Sequence, residues 1–243
     1  HANVVIEAIF EDLDAKRSLF HTLELKARPD ALLASNTSSI PLEDLATALQ
    51  APERLIGLHF FNPVARMQLV EVVHAPGTDP QCMQQGLAFV RRIQRLPLPV
   101  RSAPGFLVNR VLMPYLLEAM DLLEEGVPAT AVDRAARSFG MPMGPVELAD
   151  TVGLDICLAV AGELAGRTAT PTEVPGRLRR MVDNGKLGRK SGQGFYTWRN
   201  GRALVPGIAF RYRPPADLTE RLIFRLLNEV VACLRERIVA DAN

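Results

Sequence analysis

Residues 3–9 read Asn-Val-Val-Ile-Glu-Ala-Ile, apolar at nearly every position, and similar short apolar runs return at 30–35, 54–60, 68–74 and 96–101. Runs of this length, bounded by polar and turn residues, predict strands. Between the first two, Leu13, Leu19, Phe20 and Leu23 recur at near-helical spacing and predict a helix within 11–27. A second helix is expected from Pro80 to Arg92, where Asp79 supplies a cap and Pro80 a favoured first residue. Alternation of this kind predicts an α/β sheet, mostly parallel, over 1–102.

Beyond Pro104-Gly105 the apolar period becomes helical. One long helix is predicted over 106–125, kinked at Pro114, and others over 128–139, 145–165 and 175–184. The stretch from Gly185 to Trp198 carries four glycines and reads as a loop ending in a short extended piece. Residues 103–200 are therefore expected to form an all-helical domain. A connector over 199–216 then leads to an amphipathic helix over 217–239, so that 201–243 stands apart. A shift of 111 residues lays Arg110–Glu118 over Arg221–Glu229, matching charged as well as apolar positions. We read this as a duplication whose second copy is represented by its first helix.

Composition narrows the function classes. The 243 residues are 48% hydrophobic and 23% charged, with a formal charge of +1, which offers nothing for nucleic acid or an anionic membrane surface. No apolar run approaches the roughly 20 residues of a membrane span, and no basic segment precedes an apolar one at the start. Three scattered cysteines and four histidines form no metal-ligand spacing, and the cysteines are expected as small buried hydrophobes. A cytoplasmic enzyme fits. The chain opens without methionine, inside a strand pattern, which is the expectation for a fragment; the half-copied repeat suggests the same of the other end.

Candidate chemistry lies in three stretches. The strands ending near His59 and beginning near Gln68 are joined by too few residues for a parallel crossover, so they should pair antiparallel. His59 opposite Glu71 would then make either a general base with its orienting carboxylate, or simply a satisfied half-buried histidine. Asn62-Pro63 beside it suits a turn. Ala34-Ser35-Asn36-Thr37-Ser38-Ser39 closes a strand where α/β sheets bind ligands, and equally suits capping of a following helix. Pro104-Gly105-Phe106-Leu107-Val108-Asn109-Arg110 sets Asn109 in the first turn of the long helix.

Together with Val-Val-Ile-Glu-Ala-Ile-Phe-Glu-Asp-Leu near the start and Gly-Arg-Lys-Ser-Gly-Gln-Gly-Phe-Tyr over 188–196, these stretches stand in the order of the 3-hydroxyacyl-CoA dehydrogenase family, which the chain resembles from residue 4 to its end. The continuation past Trp198 is similar to the multifunctional fatty-acid oxidation enzymes, in which this dehydrogenase is fused to an enoyl-CoA hydratase. The resemblance implies the C-terminal part of a Rossmann-like NAD-binding domain, a helical dehydrogenase C-terminal domain, and the start of a second copy. It implies NAD-dependent oxidation of (3S)-3-hydroxyacyl-CoA to 3-oxoacyl-CoA. His59 would be the base, Glu71 its partner, Ser38 and Asn109 donors to the substrate, and Asn62 a support. Ala8, Ile9, Glu11, Lys16 and Asn36 would line the NAD cleft. Glu11 and Lys16 also admit a plainer reading as an exposed helix-start acid and a solvated lysine. The family's GxGxxG turn is not found in the sequence, and with it goes the expected pyrophosphate site, so the activity is expected of the parent enzyme while this chain alone is expected to bind NAD poorly and to be impaired. Arg189 and Lys190 read as a solvated turn more readily than as a contact to a CoA phosphate. A homo-oligomer and a thiolase subunit are the implied partners. The alternatives are a short-chain 3-hydroxybutyryl-CoA dehydrogenase, and a non-catalytic helical assembly module derived from the family.

Overall fold

A computed structural model describes residues 2–166, 173–207 and 212–241. The chain divides into two compact units, 1–107 with 233–243, and 108–232. Part of the expected connector, residues 208–211, lies outside the described residues.

The first unit is built on β1 (Val4–Glu7), β2 (Leu32–Ser35), β3 (Leu55–Phe60), β4 (Leu69–His74) and β5 (Leu96–Arg101), hydrogen-bonded in that order. Neighbours run parallel except β3 and β4, which are antiparallel as their short connection requires. Helix α1 (Leu13–Lys26) begins where Asp12 accepts the Ala15 N–H at 2.8 Å. A five-residue helix, α2 (Leu42–Ala46), follows β2. Helix α3 (Pro80–Arg92) starts on Asp79, which accepts the Gln81 N–H at 2.7 Å, with Pro80 in its first turn. Leu32, Ala34, Ile56, Leu58, Val70 and Val72 form one apolar layer with Leu87 and Val90 of α3. That burial is what sets the register of the sheet.

The second unit holds α4 (Val108–Glu124), α5 (Ala129–Phe139), α6 (Pro145–Val152), α7 (Leu154–Leu164), α8 (Gly176–Asp183) and the length of α9 (Leu218–Arg235) up to Ala232. Helix α4 runs through Pro114. The helix expected over 145–165 is in fact two, because Gly153 adopts φ 112 and ends α6. The stretch expected as plain connector begins as a hairpin, β6 (Thr197–Arg199) with β7 (Arg202–Leu204). Asn200 and Gly201 turn it at φ 50 and 73, both positive as a two-residue hairpin loop demands.

Two buried carboxylates fasten this unit. Asp150, fully buried in α6, accepts the Phe195 N–H, the Tyr196 N–H and the Trp198 indole N–H, each at 2.9 Å. Asp133 of α5 accepts the Tyr196 hydroxyl at 2.8 Å and the Val146 N–H of α6 at 2.8 Å. A Cβ on Gly194 would overlap the Asp150 carboxylate, and one on Gly188 its backbone carbonyl. The first and last glycines of Gly-Arg-Lys-Ser-Gly-Gln-Gly are thus explained by closeness to Asp150, and the middle one, Gly192, by its φ of 77, while Lys190 bonds Asp155.

Helices α4 and α9 meet through paired ions that follow the internal repeat. Arg110 of α4 bonds Glu229 of α9 at 2.6 Å, and Arg221 of α9 bonds Glu118 of α4 at 2.7 Å. Each pair is the other moved by the repeat shift, so equivalent residues of the two helices join them reciprocally. This reciprocity supports the duplication read from the sequence. Beside Glu118, Asp121 is half-buried, and burial together with the charges of Glu118 and Glu124 pushes its carboxyl up to about 6. A carboxyl raised in this way contributes its stability in full below the ordinary carboxylate range and loses it as pH rises through 6. Asp121→Asn should therefore raise stability by about 1 kcal/mol at about pH 7.5, after allowance for solvent screening, and by almost nothing at about pH 4. Thermal denaturation at the two pH values checks it.

Candidate active site

Because β1, β2 and β3 are parallel, their carboxyl ends share one end of the sheet, and β4 begins there. Small polar side chains can gather at such an end without breaking the ladder, since the backbone pairing is already finished. Glu7 and Ser35 face each other in register at the ends of β1 and β2.

His59 and Glu71 are directly paired across β3 and β4. The His59 Nδ1 lies 2.6 Å from Glu71 Oε2, with the histidine 6% exposed and the glutamate fully buried. A carboxylate only accepts, so the ring proton sits on Nδ1 and the lone pair on Nε2 is left to take another. The second oxygen of Glu71, Oε1, accepts the Leu107 N–H at 2.9 Å. The imidazole lies against two aromatic rings, Phe61 at 4.5 Å and Phe106 at 5.7 Å between centroids.

A second cluster joins β1 to the loop after β2. Glu7 Oε1 accepts from Lys16 Nζ and from the Ile9 N–H, both at 2.7 Å, while its Oε2 accepts the Ser35 hydroxyl at 2.6 Å. Lys16 is 1% exposed and also lies 3.2 Å from Glu11. A solvated lysine is thereby overturned: the ammonium is held between two carboxylates. Glu11 accepts the Thr37 hydroxyl at 2.6 Å and the Ser38 N–H at 2.9 Å. Burial pushes the Glu11 carboxyl up, but those bonds and the Lys16 charge outweigh it and hold it below the ordinary range. Asn36 accepts the Phe60 N–H at 2.9 Å, tying this loop to the end of β3. Ser35→Ala removes a charge-assisted bond to a buried carboxylate and should cost about 2 kcal/mol, read as a fall in the urea midpoint.

This is where likeness to known proteins decides. Residues 1–103 match the model of the 3-hydroxyacyl-CoA dehydrogenase NAD binding domain, and residues 105–198 that of the same enzyme's C-terminal domain. The chain belongs to the 3-hydroxyacyl-CoA dehydrogenase family. It is 37% identical over 250 residues to the fatty acid oxidation complex subunit alpha of Shewanella loihica, a match covering 99% of this chain and 35% of that protein. The corresponding subunit of Vibrio campbellii is 35% identical over 247 residues, covering 98% of this chain and 35% of that protein. The chain thus spans about a third of the length of these relatives. Among solved structures it is similar to FadB2 of M. tuberculosis, with TM-score 0.78 and 40% identity over 81% of this chain and 71% of that one. It is also similar to 3-hydroxybutyryl-CoA dehydrogenase of Escherichia coli K12, with TM-score 0.76 and 38% identity over 89% of this chain and 48% of that one.

With the family in place, the positions singled out in the sequence fall into two groups. Ala8, Ile9, Glu11, Lys16, Asn36, Ser38, His59 and Glu71 gather at the one end of the first unit's sheet. Asn62, whose bond to Pro63 is cis, follows β3 on an exposed loop. Asn109 is half-buried in the first turn of α4, in the second unit. The chemistry of the first group suits the nicotinamide-riboside half of a dinucleotide. Ile9 and Phe10 are exposed apolar side chains, 38% and 72%, beside a carboxylate and hydroxyls able to meet a ribose. Glu7, Ser35, Phe61 and Phe106 were given no role from the sequence, although Ser35 and Phe106 stand in the stretches singled out there. Glu7 also carried a signal, as a lone charge inside an apolar strand run.

Proposed function

We propose that this chain carries the proton-transfer centre and the nicotinamide-facing cleft of an enzyme that oxidises (3S)-3-hydroxyacyl-CoA to 3-oxoacyl-CoA in fatty-acid β-oxidation. The observation that carries it is the buried His59–Glu71 pair, bonded through Nδ1, which leaves Nε2 as the ring's proton acceptor. NAD, when bound, accepts the hydride from C3. His59 Nε2 takes the hydroxyl proton as that hydride departs, and Glu71 balances the positive charge that develops on the ring. Ser38 and Asn109 donate to the substrate oxygens, a preorganised polar setting for the forming carbonyl. Asn62 steadies the loop after β3. Glu11, fixed by the buried Lys16, would meet the ribose, with Ala8, Ile9 and Asn36 lining the nicotinamide end of the cofactor's cleft.

The relatives' name supports a place in a fatty acid oxidation complex. A thiolase subunit as partner, a homo-oligomer and a cytoplasmic setting are proposed with it, on the sequence reading alone. Among the described residues no helix is long and apolar enough to cross a membrane. A second reading, a short-chain 3-hydroxybutyryl-CoA dehydrogenase, is favoured by the likeness to the Escherichia coli structure. A non-catalytic helical assembly module is disfavoured by the intact pair. The experiment is NADH formation from 3-hydroxyacyl-CoA of short, medium and long chain, in protein first shown by titration to bind NAD. Formation that rises with chain length supports β-oxidation, a four-carbon optimum supports the second reading, and no formation with any of them in NAD-binding protein sinks both.

A further inference from the structure

We propose that Phe106 is a positioning residue for the His59–Glu71 pair, acting on the imidazole through its ring and on the carboxylate through its backbone. The consequence for turnover rests on the proposed dehydrogenase reading; the geometry does not.

The Pro-Gly-Phe turn is unusual in its backbone. Gly105 has φ 71 and Phe106 has φ 52, two successive left-handed residues, and the Phe106 N–H closes the turn on the Ala103 carbonyl at 2.9 Å. Glycine enters that region freely, whereas a bulky aromatic does so only where its surroundings over-determine it. Here the ring is fully buried, packed against the His59 imidazole at 5.7 Å with the planes tilted by 59°. Such tilted contacts are the favoured aromatic geometry. Phe61 contacts the same imidazole at 4.5 Å.

The same turn settles the carboxylate. Two left-handed residues reverse the chain so that the next N–H, that of Leu107, meets Glu71 Oε1 at 2.9 Å while Oε2 serves His59. Held at both oxygens, the carboxylate cannot swing about its terminal torsion, and the ring it serves keeps one orientation and one tautomer. Phe106 therefore contributes twice: its φ aims the Leu107 N–H, and its ring closes one side of the imidazole against water. Neither effect needs Phe106 to touch substrate.

The test compares Phe106→Leu and Phe106→Gly with Phe20→Leu, a fully buried phenylalanine of α1 in the same unit. In protein with isotope-labelled histidine, the Nδ1 proton shared with Glu71 gives a nuclear magnetic resonance signal identified by its loss in His59→Gln. We expect its exchange with solvent to quicken at least about tenfold in both Phe106 variants and to change less than about twofold in Phe20→Leu. With a 3-hydroxyacyl-CoA and NAD, kcat should fall at least about tenfold while KM stays within about threefold. Unchanged exchange in both folded Phe106 variants overturns the proposal, as does an equal rise in Phe20→Leu. Loss of folding in both Phe106 variants, with Phe20→Leu folded, also overturns it, by making Phe106 a core residue first. Absence of NADH formation in unsubstituted protein shown to bind NAD refutes the dehydrogenase reading and leaves the exchange result standing.

Discussion

His59→Gln should reduce turnover of 3-hydroxyacyl-CoA by about 10²–10⁴-fold, the usual worth of a positioned general base. Glutamine can still donate to Glu71 and fills similar space, so the strand pair and its register should persist. What is lost is a group able to take a proton. Substrate and NAD binding should change little, since neither the polar cluster around Glu11 proposed for the ribose nor the apolar edge at Ile9 and Phe10 is touched. Steady-state kinetics with circular dichroism separates the outcomes. Wild-type turnover in a folded His59→Gln protein would leave the family likeness as a statement about fold alone.

Asp150→Ala should lower stability by about 4 kcal/mol, the largest loss expected in the second unit. The substitution strands three donors at once, the N–H groups of Phe195 and Tyr196 and the Trp198 indole, and each orphaned buried donor costs about 1–3 kcal/mol. It also empties the space into which the glycine-rich loop is fitted. Asp150→Asn should recover only part, because one of its two positions would present a donor to a donor. Urea denaturation followed by tryptophan fluorescence is the natural measurement, as Trp198 is the single tryptophan and bonds the residue replaced. A midpoint unchanged in Asp150→Ala would remove the carboxylate lock from the account of this unit.

Much of the sheet was legible because its determinants are local. Apolar runs flanked by turns fixed five strands, the brevity of the 61–67 connection set one pair antiparallel, and Asp79-Pro80 marked a helix start. The His59–Glu71 pairing followed from the same geometry. The hairpin at 197–204 was equally local, since Asn200-Gly201 is a strong two-residue turn, but the glycines and arginines around it drew the reading toward a connector. Gly153 went unnoticed within an otherwise continuous helical period. Other features were beyond any local pattern. Glu7, Ser35 and Lys16 come together from three elements, and Asp133, Asp150 and Tyr196 from two helices and the loop before β6, so only the finished fold shows that they meet. The left-handed φ of Phe106 belongs to this class too, for the residue type argues against it.

The reciprocal pairs Arg110–Glu229 and Arg221–Glu118 join two related helices on a single polypeptide. Between separate chains, a contact of this kind would obey mass action and dissociate on dilution. Tethered through the intervening residues, each helix instead meets the other at a fixed effective concentration, of order millimolar for a flexible link and higher for an ordered one. The association of α4 with α9 is therefore set by the covalent chain rather than by how much protein is present, and it should hold unchanged from crowded to very dilute solution.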